Sequence, residues 1–135
     1  MSIGLHHISI TCRSLKQSKN FYFKLGFTVE KEYKDSQVSI VMMSSEGGCI
    51  ELFKFNDVND ALIDKPHSST PEFLMNVGIT HFALAVDDIH HSKGLLEKQC
   101  ECSQIKEARL GGFYYFFATD PDGNKIEIIK EIKLC

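Results

Sequence analysis

The sequence predicts an α+β fold in which two tandem βαβββ modules form a curved, partly open β-barrel, and two internal alignments predict it. Gly47-Gly48-Cys49-Ile50-Glu51-Leu52-Phe53-Lys54 lies over Gly123-Asn124-Lys125-Ile126-Glu127-Ile128-Ile129-Lys130 without a gap, with Gly47/Gly123, Ile50/Ile126, Glu51/Glu127 and Lys54/Lys130 all 76 positions apart. Gly4-Leu5-His6-His7 lies over Gly78-Ile79-Thr80-His81 at an offset of 74, which also carries Ser14 to Asp88, Leu15 to Ile89, Ser18 to Ser92 and Lys19 to Lys93. One unit has been repeated, and each copy has a His near its start and a Glu near its end.

The elements follow in order. Gly4 to Cys12 alternates as a strand, with Leu5, His7, Ser9 and Thr11 on one face and His6, Ile8, Ile10 and Cys12 on the other. Ser14 opens a helix with Gln17 as its capping-box partner, and Gly26 ends it after Phe21-Tyr22-Phe23-Lys24-Leu25. Three strands follow, Phe27 to Lys31, Gln37 to Met43 and Cys49 to Phe55, separated by the turn-forming Asp35-Ser36 and Ser44-Ser45-Glu46-Gly47. Pro66 and Pro71 mark a linker over 57–77 with a short helix near Asp60-Ala61-Leu62-Ile63. The second copy has a strand from Gly78 to Val86, with Ile79, His81, Ala83 and Ala85 on one face, then a helix from Ile89 to about Gln99 capped by Asp88. Gly94 costs that helix about 1 kcal/mol, so packing rather than propensity must hold it. A short strand at Ser103 to Glu107, an aromatic strand at Gly112 to Ala118 and a last strand through Ile126-Glu127-Ile128-Ile129 complete the copy. Asp120-Pro121-Asp122-Gly123 is the turn that sets up this last strand, since Pro fixes φ and Gly tolerates its positive range. The 135 residues are thus a single domain, with module 1 at 1–56, the linker at 57–77 and module 2 at 78–135.

A net charge of −3 and a pI near 6.0 give no basic footprint for nucleic acid or for an anionic membrane. Apolar runs such as Val41-Met42-Met43 and Phe116-Phe117-Ala118 fall far short of a membrane span, and Met1-Ser2-Ile3-Gly4 has no basic leader, so the expectation is a soluble cytoplasmic protein. The odd set Cys12, Cys49, Cys100, Cys102 and Cys135 reads as reduced thiols. Cys100-Glu101-Cys102 lacks both the spacing and the second pair of a tetrahedral zinc site.

The strand faces lead from fold to site. Each first-strand His shares its face with small residues, Ser9 and Thr11 or Ala83 and Ala85, which suits a cavity wall. Glu127 among isoleucines costs several kcal/mol if it is buried unpaired, so it should meet water, a cation or a metal. A duplicated βαβββ unit that closes into a barrel puts His7, Glu51, His81 and Glu127 on its inner wall. Two imidazoles and two carboxylates make a mixed N/O site for one divalent ion, Ni²⁺, Zn²⁺ or Co²⁺ first and Fe²⁺ or Mn²⁺ after them, and the two carboxylates balance its charge. A lone His or Glu on a strand is commonly just a satisfied surface or core residue; the matched recurrence lifts these four out of that class. His6 competes with His7, but its repeat partner is Thr80. His90-His91 sits in a polar context that suits solvation, and His67 stands alone in the linker.

Leu5-His6-His7-Ile8-Ser9-Ile10, Phe21-Tyr22 leading to Leu25-Gly26-Phe27, Ile50-Glu51-Leu52, Gly78-Ile79-Thr80-His81-Phe82-Ala83 and Asp120-Pro121-Asp122-Gly123 through Ile126-Glu127 together resemble the vicinal oxygen chelate superfamily, and within it glyoxalase I (lactoylglutathione lyase). The resemblance spans nearly the whole chain. It implies a metal-dependent lyase or isomerase moving a proton on a small α-hydroxycarbonyl or hemithioacetal, with Glu127 as principal base, Glu51 as its counterpart and the metal stabilising an enediolate. It also implies a homodimer and a thiol cosubstrate. Residue 51 discriminates among relatives: extradiol dioxygenases and fosfomycin-resistance enzymes usually have no ligand there, and acyl-CoA epimerases commonly have Gln. These activities, and a non-enzymatic resistance protein that sequesters its ligand, are the alternatives. Two glutathione contacts of glyoxalase I are missing, with Thr11 at the place of an Arg and Phe55 at the place of an Asn. Phe53 and Phe55, with either Phe113, Tyr115 and Phe117 or Tyr114 and Phe116, suggest a more apolar substrate or another thiol.

Overall fold

The computed structural model describes residues 2–57 and 71–132, and the chain divides into two compact units, Met1–Ile63 and Asp64–Cys135. The short helix expected near Asp60-Ala61-Leu62-Ile63 and the thiol of Cys135 lie outside the described residues. Unit 1 runs β1 (His7–Thr11), α1 (Leu15–Lys24), β2 (Thr28–Lys34), β3 (Val38–Ser45) and β4 (Gly48–Phe55). Unit 2 opens on a 3₁₀ turn, Pro71–Met75, and continues with β5 (Phe82–Ala85), α2 (Ile89–Leu96), β6 (Lys106–Glu107), β7 (Phe113–Thr119) and β8 (Lys125–Glu131). The expected α+β class and tandem βαβββ order are both present. Among the described residues, no helix is long and apolar enough to cross a membrane.

Each unit folds one four-stranded mixed sheet, ordered β1-β4-β3-β2 in the first and β5-β8-β7-β6 in the second. In both, the first strand pairs in parallel with the last, and the other pairings are antiparallel. A parallel partner needs a crossover, which the helix and two strands of each unit supply. The registers also correspond: Ser9 stands opposite Glu51, and Ala83 opposite Glu127.

Alternation on these strands separates a core face from a site face. In unit 1, Ile10, Val41, Met43, Ile50 and Leu52 are buried together with Phe21 and Tyr22 of α1, which packs against β4. In unit 2, Phe116, Ala118, Ile126 and Ile128 are buried with Ile89 and Leu96 of α2. Fully burying side chains of this size stabilises by about 1.5–3 kcal/mol each.

Helix α1 is bounded as its sequence requires. The Ser14 hydroxyl accepts from the Gln17 N–H at 3.2 Å, and at the other end Gly26 takes φ +98°. The Gly26 N–H then donates to Phe23 and the Phe27 N–H to Tyr22, while the Phe27 ring meets Tyr22 edge-on. This six-to-one closure satisfies carbonyls that the helix end would leave open. The Asp88 carboxylate caps α2 in the same way, accepting from the His91 N–H at 3.0 Å.

Several elements are shorter than the sequence pattern suggests. Strands β1 and β5 begin at His7 and Phe82, so Leu5 and Ile79 are outside the sheets and exposed. Gly78, at φ +126°, turns the chain just before β5, which leaves His81 immediately ahead of the strand rather than within it. Strand β6 has only two residues, with Cys102 making an isolated bridge to Ala118. Helix α2 stops at Leu96, before Gln99.

Candidate metal centre

Each unit brings its His and Glu together. In unit 1, β1 and β4 are neighbours, so His7 and Glu51 project from the same face, and Nε2 of His7 stands 3.3 Å from Oε1 of Glu51. In unit 2, Nε2 of His81 stands 2.8 Å from Oε2 of Glu127. All four side chains are partly enclosed, Glu127 most of all at 14% exposure. Among the described residues, no group of three or more His, Cys, Asp or Glu gathers for a metal ion. What each unit presents is a two-donor pair.

The donor chemistry fits a divalent ion. Two ligands on one metal at about 2.1 Å, at octahedral to tetrahedral angles, stand about 3.0–3.4 Å apart. The 3.3 Å of His7 and Glu51 falls within that spacing, and the 2.8 Å of His81 and Glu127, a hydrogen-bond distance, falls just below it. The far nitrogen of each imidazole is engaged as well: Nδ1 of His7 is 2.7 Å from Nδ1 of His6, and Nδ1 of His81 is 2.8 Å from the Thr80 hydroxyl. Such contacts hold the ring orientation, with Nε2 directed at the carboxylate. His6 and Thr80 occupy matched positions, so the residue that competes with His7 in the sequence is its positioning partner in the structure.

The two pairs differ in their second neighbours. The Ser9 hydroxyl donates to Oε1 of Glu51 at 2.7 Å, whereas the matched residue beside Glu127 is Ala83, which has no side-chain donor. Around Glu127 the wall is aromatic. Phe117 pairs with Glu127 across β7 and β8, and its ring lies edge-on to that of His81 at 5.1 Å. Tyr115 and Phe73 continue the cluster at 5.6 and 5.0 Å from Phe117, with the Lys125 ammonium 5.8 Å from the Phe73 ring.

This register decides between the two aromatic sets. Phe113, Tyr115 and Phe117 share the face of Glu127, while Phe116 is core and Tyr114 is exposed. In unit 1, Phe53 and Phe55 stack at 5.8 Å with Phe55 exposed, and Met42 stands opposite Glu51. Sequence reasoning missed Phe73, which lies in a segment without periodicity. It also missed the roles of Thr80 and His6, whose only signal was their place beside a repeated His. His90 and His91 are exposed on the first turn of α2, and His67 lies outside the described residues.

The model of the Glyoxalase/Bleomycin resistance protein/Dioxygenase superfamily matches residues 4–128. Among solved structures, a glyoxalase family protein from Enterococcus faecalis is 25% identical with a TM-score of 0.71, the match covering 93% of this chain and 96% of that one. The trypanothione-dependent glyoxalase I of Leishmania major is 22% identical with a TM-score of 0.70, covering 96% and 88%. An antibiotic-binding protein from a Streptomyces species is 18% identical with a TM-score of 0.67, covering 98% and 99%. These last two likenesses are of fold. No curated protein matches the chain.

Proposed function

The chain belongs to the Glyoxalase/Bleomycin resistance protein/Dioxygenase superfamily, and from that membership we propose that it is a metal-dependent, glyoxalase-like lyase or isomerase. Its substrate is a small α-hydroxycarbonyl or hemithioacetal. The observation that carries this reading is the recurrence of a converging His–Glu pair in matched register in both units, His7 with Glu51 and His81 with Glu127. These four residues would hold one divalent ion, with Ni²⁺, Zn²⁺ or Co²⁺ best suited to the donor set. When bound, such an ion supplies Lewis-acid stabilisation of negative charge on substrate oxygen.

The residues divide the remaining work. Glu127 is the less exposed carboxylate, and it accepts the proton from the carbon next to the substrate's oxygen and returns it to the neighbouring carbon. Glu51, engaged by the Ser9 hydroxyl, serves as its counterpart. His81 and His7 supply the nitrogen donors beside these carboxylates. Phe117 pairs with Glu127 across the sheet and, with Tyr115 and Phe73, lines the apolar wall beside His81, a low-polarity surround of the kind that strengthens charge interactions.

In this reading the protein acts as a homodimer in which the pair of one subunit meets the complementary pair of the other. Mixing His7→Ala chains with Glu127→Ala chains then restores a fraction of intact sites after subunit exchange. No recovery would place all four ligands within one chain.

Metal analysis of protein purified without a metal-binding tag tests the central claim. One divalent ion per four-residue set is expected, and His81→Ala should lose it while keeping its circular dichroism spectrum. Unchanged metal content in that variant would overturn the site. Hemithioacetals, acyl-CoA esters and catechols assayed with Ni²⁺, Zn²⁺ and Fe²⁺ separate the reactions: epimerisation or ring cleavage would replace the glyoxalase reading, and tight binding without turnover would make the chain a sequestering protein.

A further inference from the structure

Unit 2 carries a thiol pair that the proton-transfer site does not use. Cys100 follows α2, and Cys102 bridges to Ala118 at the end of β7. Their sulfurs stand 3.9 Å apart, both thiols are half-buried, and both are free. The Cys100 sulfur also contacts the Leu96 carbonyl at 3.3 Å, at the open end of α2.

We propose that Cys100 and Cys102 form a dithiol site for thiol–disulfide exchange with low-molecular-weight disulfides, Cys100 attacking and Cys102 resolving. The Cys100 thiolate attacks one sulfur of the disulfide RSSR, forming a mixed disulfide and releasing RS⁻. The Cys102 thiol then loses its proton and attacks the Cys100 sulfur, breaking the mixed disulfide and releasing the second RS⁻. The protein gives up two electrons and two protons, and RSSR becomes two RSH. Closing the bond takes the sulfurs from 3.9 Å to about 2.05 Å, a movement within the reach of side-chain rotation across one intervening residue.

The surroundings give the two sulfurs different roles. The thiol of Cys102 and the backbone N–H of Thr119 both favour the charged form of Cys100 and bring it down to about 7, against opposition from burial and from the Asp120 carboxylate. Cys102 is pushed well above its ordinary value by the Cys100 sulfur and by burial, with Glu97 adding to the effect and Lys93 opposing it. The nucleophile is therefore the thiol that is ionised near neutrality, while the resolving thiol stays protonated until the mixed disulfide has neutralised its neighbour. The matched stretch of unit 1 has Gly26 and Thr28 at these offsets, so the device belongs to unit 2 alone.

The test is glutathione disulfide added to the full chain at pH 7, followed by alkylation and peptide mass mapping. Wild-type protein should lose two hydrogens from the peptide containing residues 100–102 and keep no glutathione. Cys102→Ser should retain one glutathione on Cys100, and Cys100→Ser should do neither. The first step should run about threefold faster than with an unperturbed cysteine peptide, because a larger thiolate fraction outweighs lower intrinsic nucleophilicity. If the 100–102 peptide stays reduced while Cys49 is modified, or if the wild type retains glutathione, the proposal fails. Wild-type mapping alone decides the matter should either variant misfold.

Discussion

The two units set the same pair of donors in two different surroundings. Strand order, parallel closure and the register opposite each Glu are common to both. The neighbours are not: His7 leans on His6 and Glu51 on Ser9, whereas His81 leans on Thr80 and Glu127 faces Ala83 and a cluster of aromatic rings. Repetition has held the backbone positions that create the pairs and released the side chains around them. Unit 1 thus offers a carboxylate engaged by a neighbouring hydroxyl and unit 2 a somewhat less exposed one beside aromatic rings.

The largest expected effect sharpens that contrast. Glu127→Gln should lower kcat on the best substrate by about 10²–10⁴, the usual contribution of a positioned general base. Glu51→Gln should cost less in kcat; equal losses would mean that the unequal surroundings do not separate the roles. A second test concerns the wall of unit 1. With Thr11 and Phe55 in place, turnover of the methylglyoxal–glutathione adduct should be poor, and the T11R/F55N double variant should raise its kcat/KM by about tenfold to a thousandfold, the value of a restored charged contact. A low-micromolar KM in the unaltered protein would show that other residues already bind the glutathione carboxylates. The smallest effect comes from exchanging the second neighbours. Ser9→Ala removes a hydroxyl from Glu51 and should weaken metal affinity about tenfold, as loss of an outer partner commonly does. Ala83→Ser places a hydroxyl opposite Glu127 and should leave metal content intact while lowering kcat. Competition with a chromophoric chelator measures the first, and initial rates the second.

The repeat made most of this fold legible, because the offsets of 74 and 76 locate equivalent strands whatever their individual propensities. The His–Glu pairs were readable for the same reason. The aromatic strand was not: Phe113-Tyr114-Tyr115-Phe116-Phe117 has no polar alternation, so only its pairing with β8 reveals which rings face Glu127. The ends of β1 and β5 were overextended because Leu5 and Ile79 continue the alternating pattern into segments that make no sheet hydrogen bonds. Phe73 gave no signal, since the stretch around it lacks any period and its partners lie far along the chain. For the thiols, the spacing spoke only to zinc; their proximity and unequal ionisation emerge only in three dimensions.

The parallel closure of each sheet also governs when the donors can meet during folding. His81 and Glu127 are 46 residues apart, and Ser9 and Glu51 42, because first and last strands are neighbours. Bringing such distant strands together costs about 2 kcal/mol more loop-closure entropy than forming the β7–β8 hairpin, so hairpins should form early and the parallel pairing late. A folding intermediate with native hairpins would then carry all four candidate ligands on one chain and neither pair assembled. Metal added to refolding protein should accelerate the final phase only if it can recruit ligands before that closure.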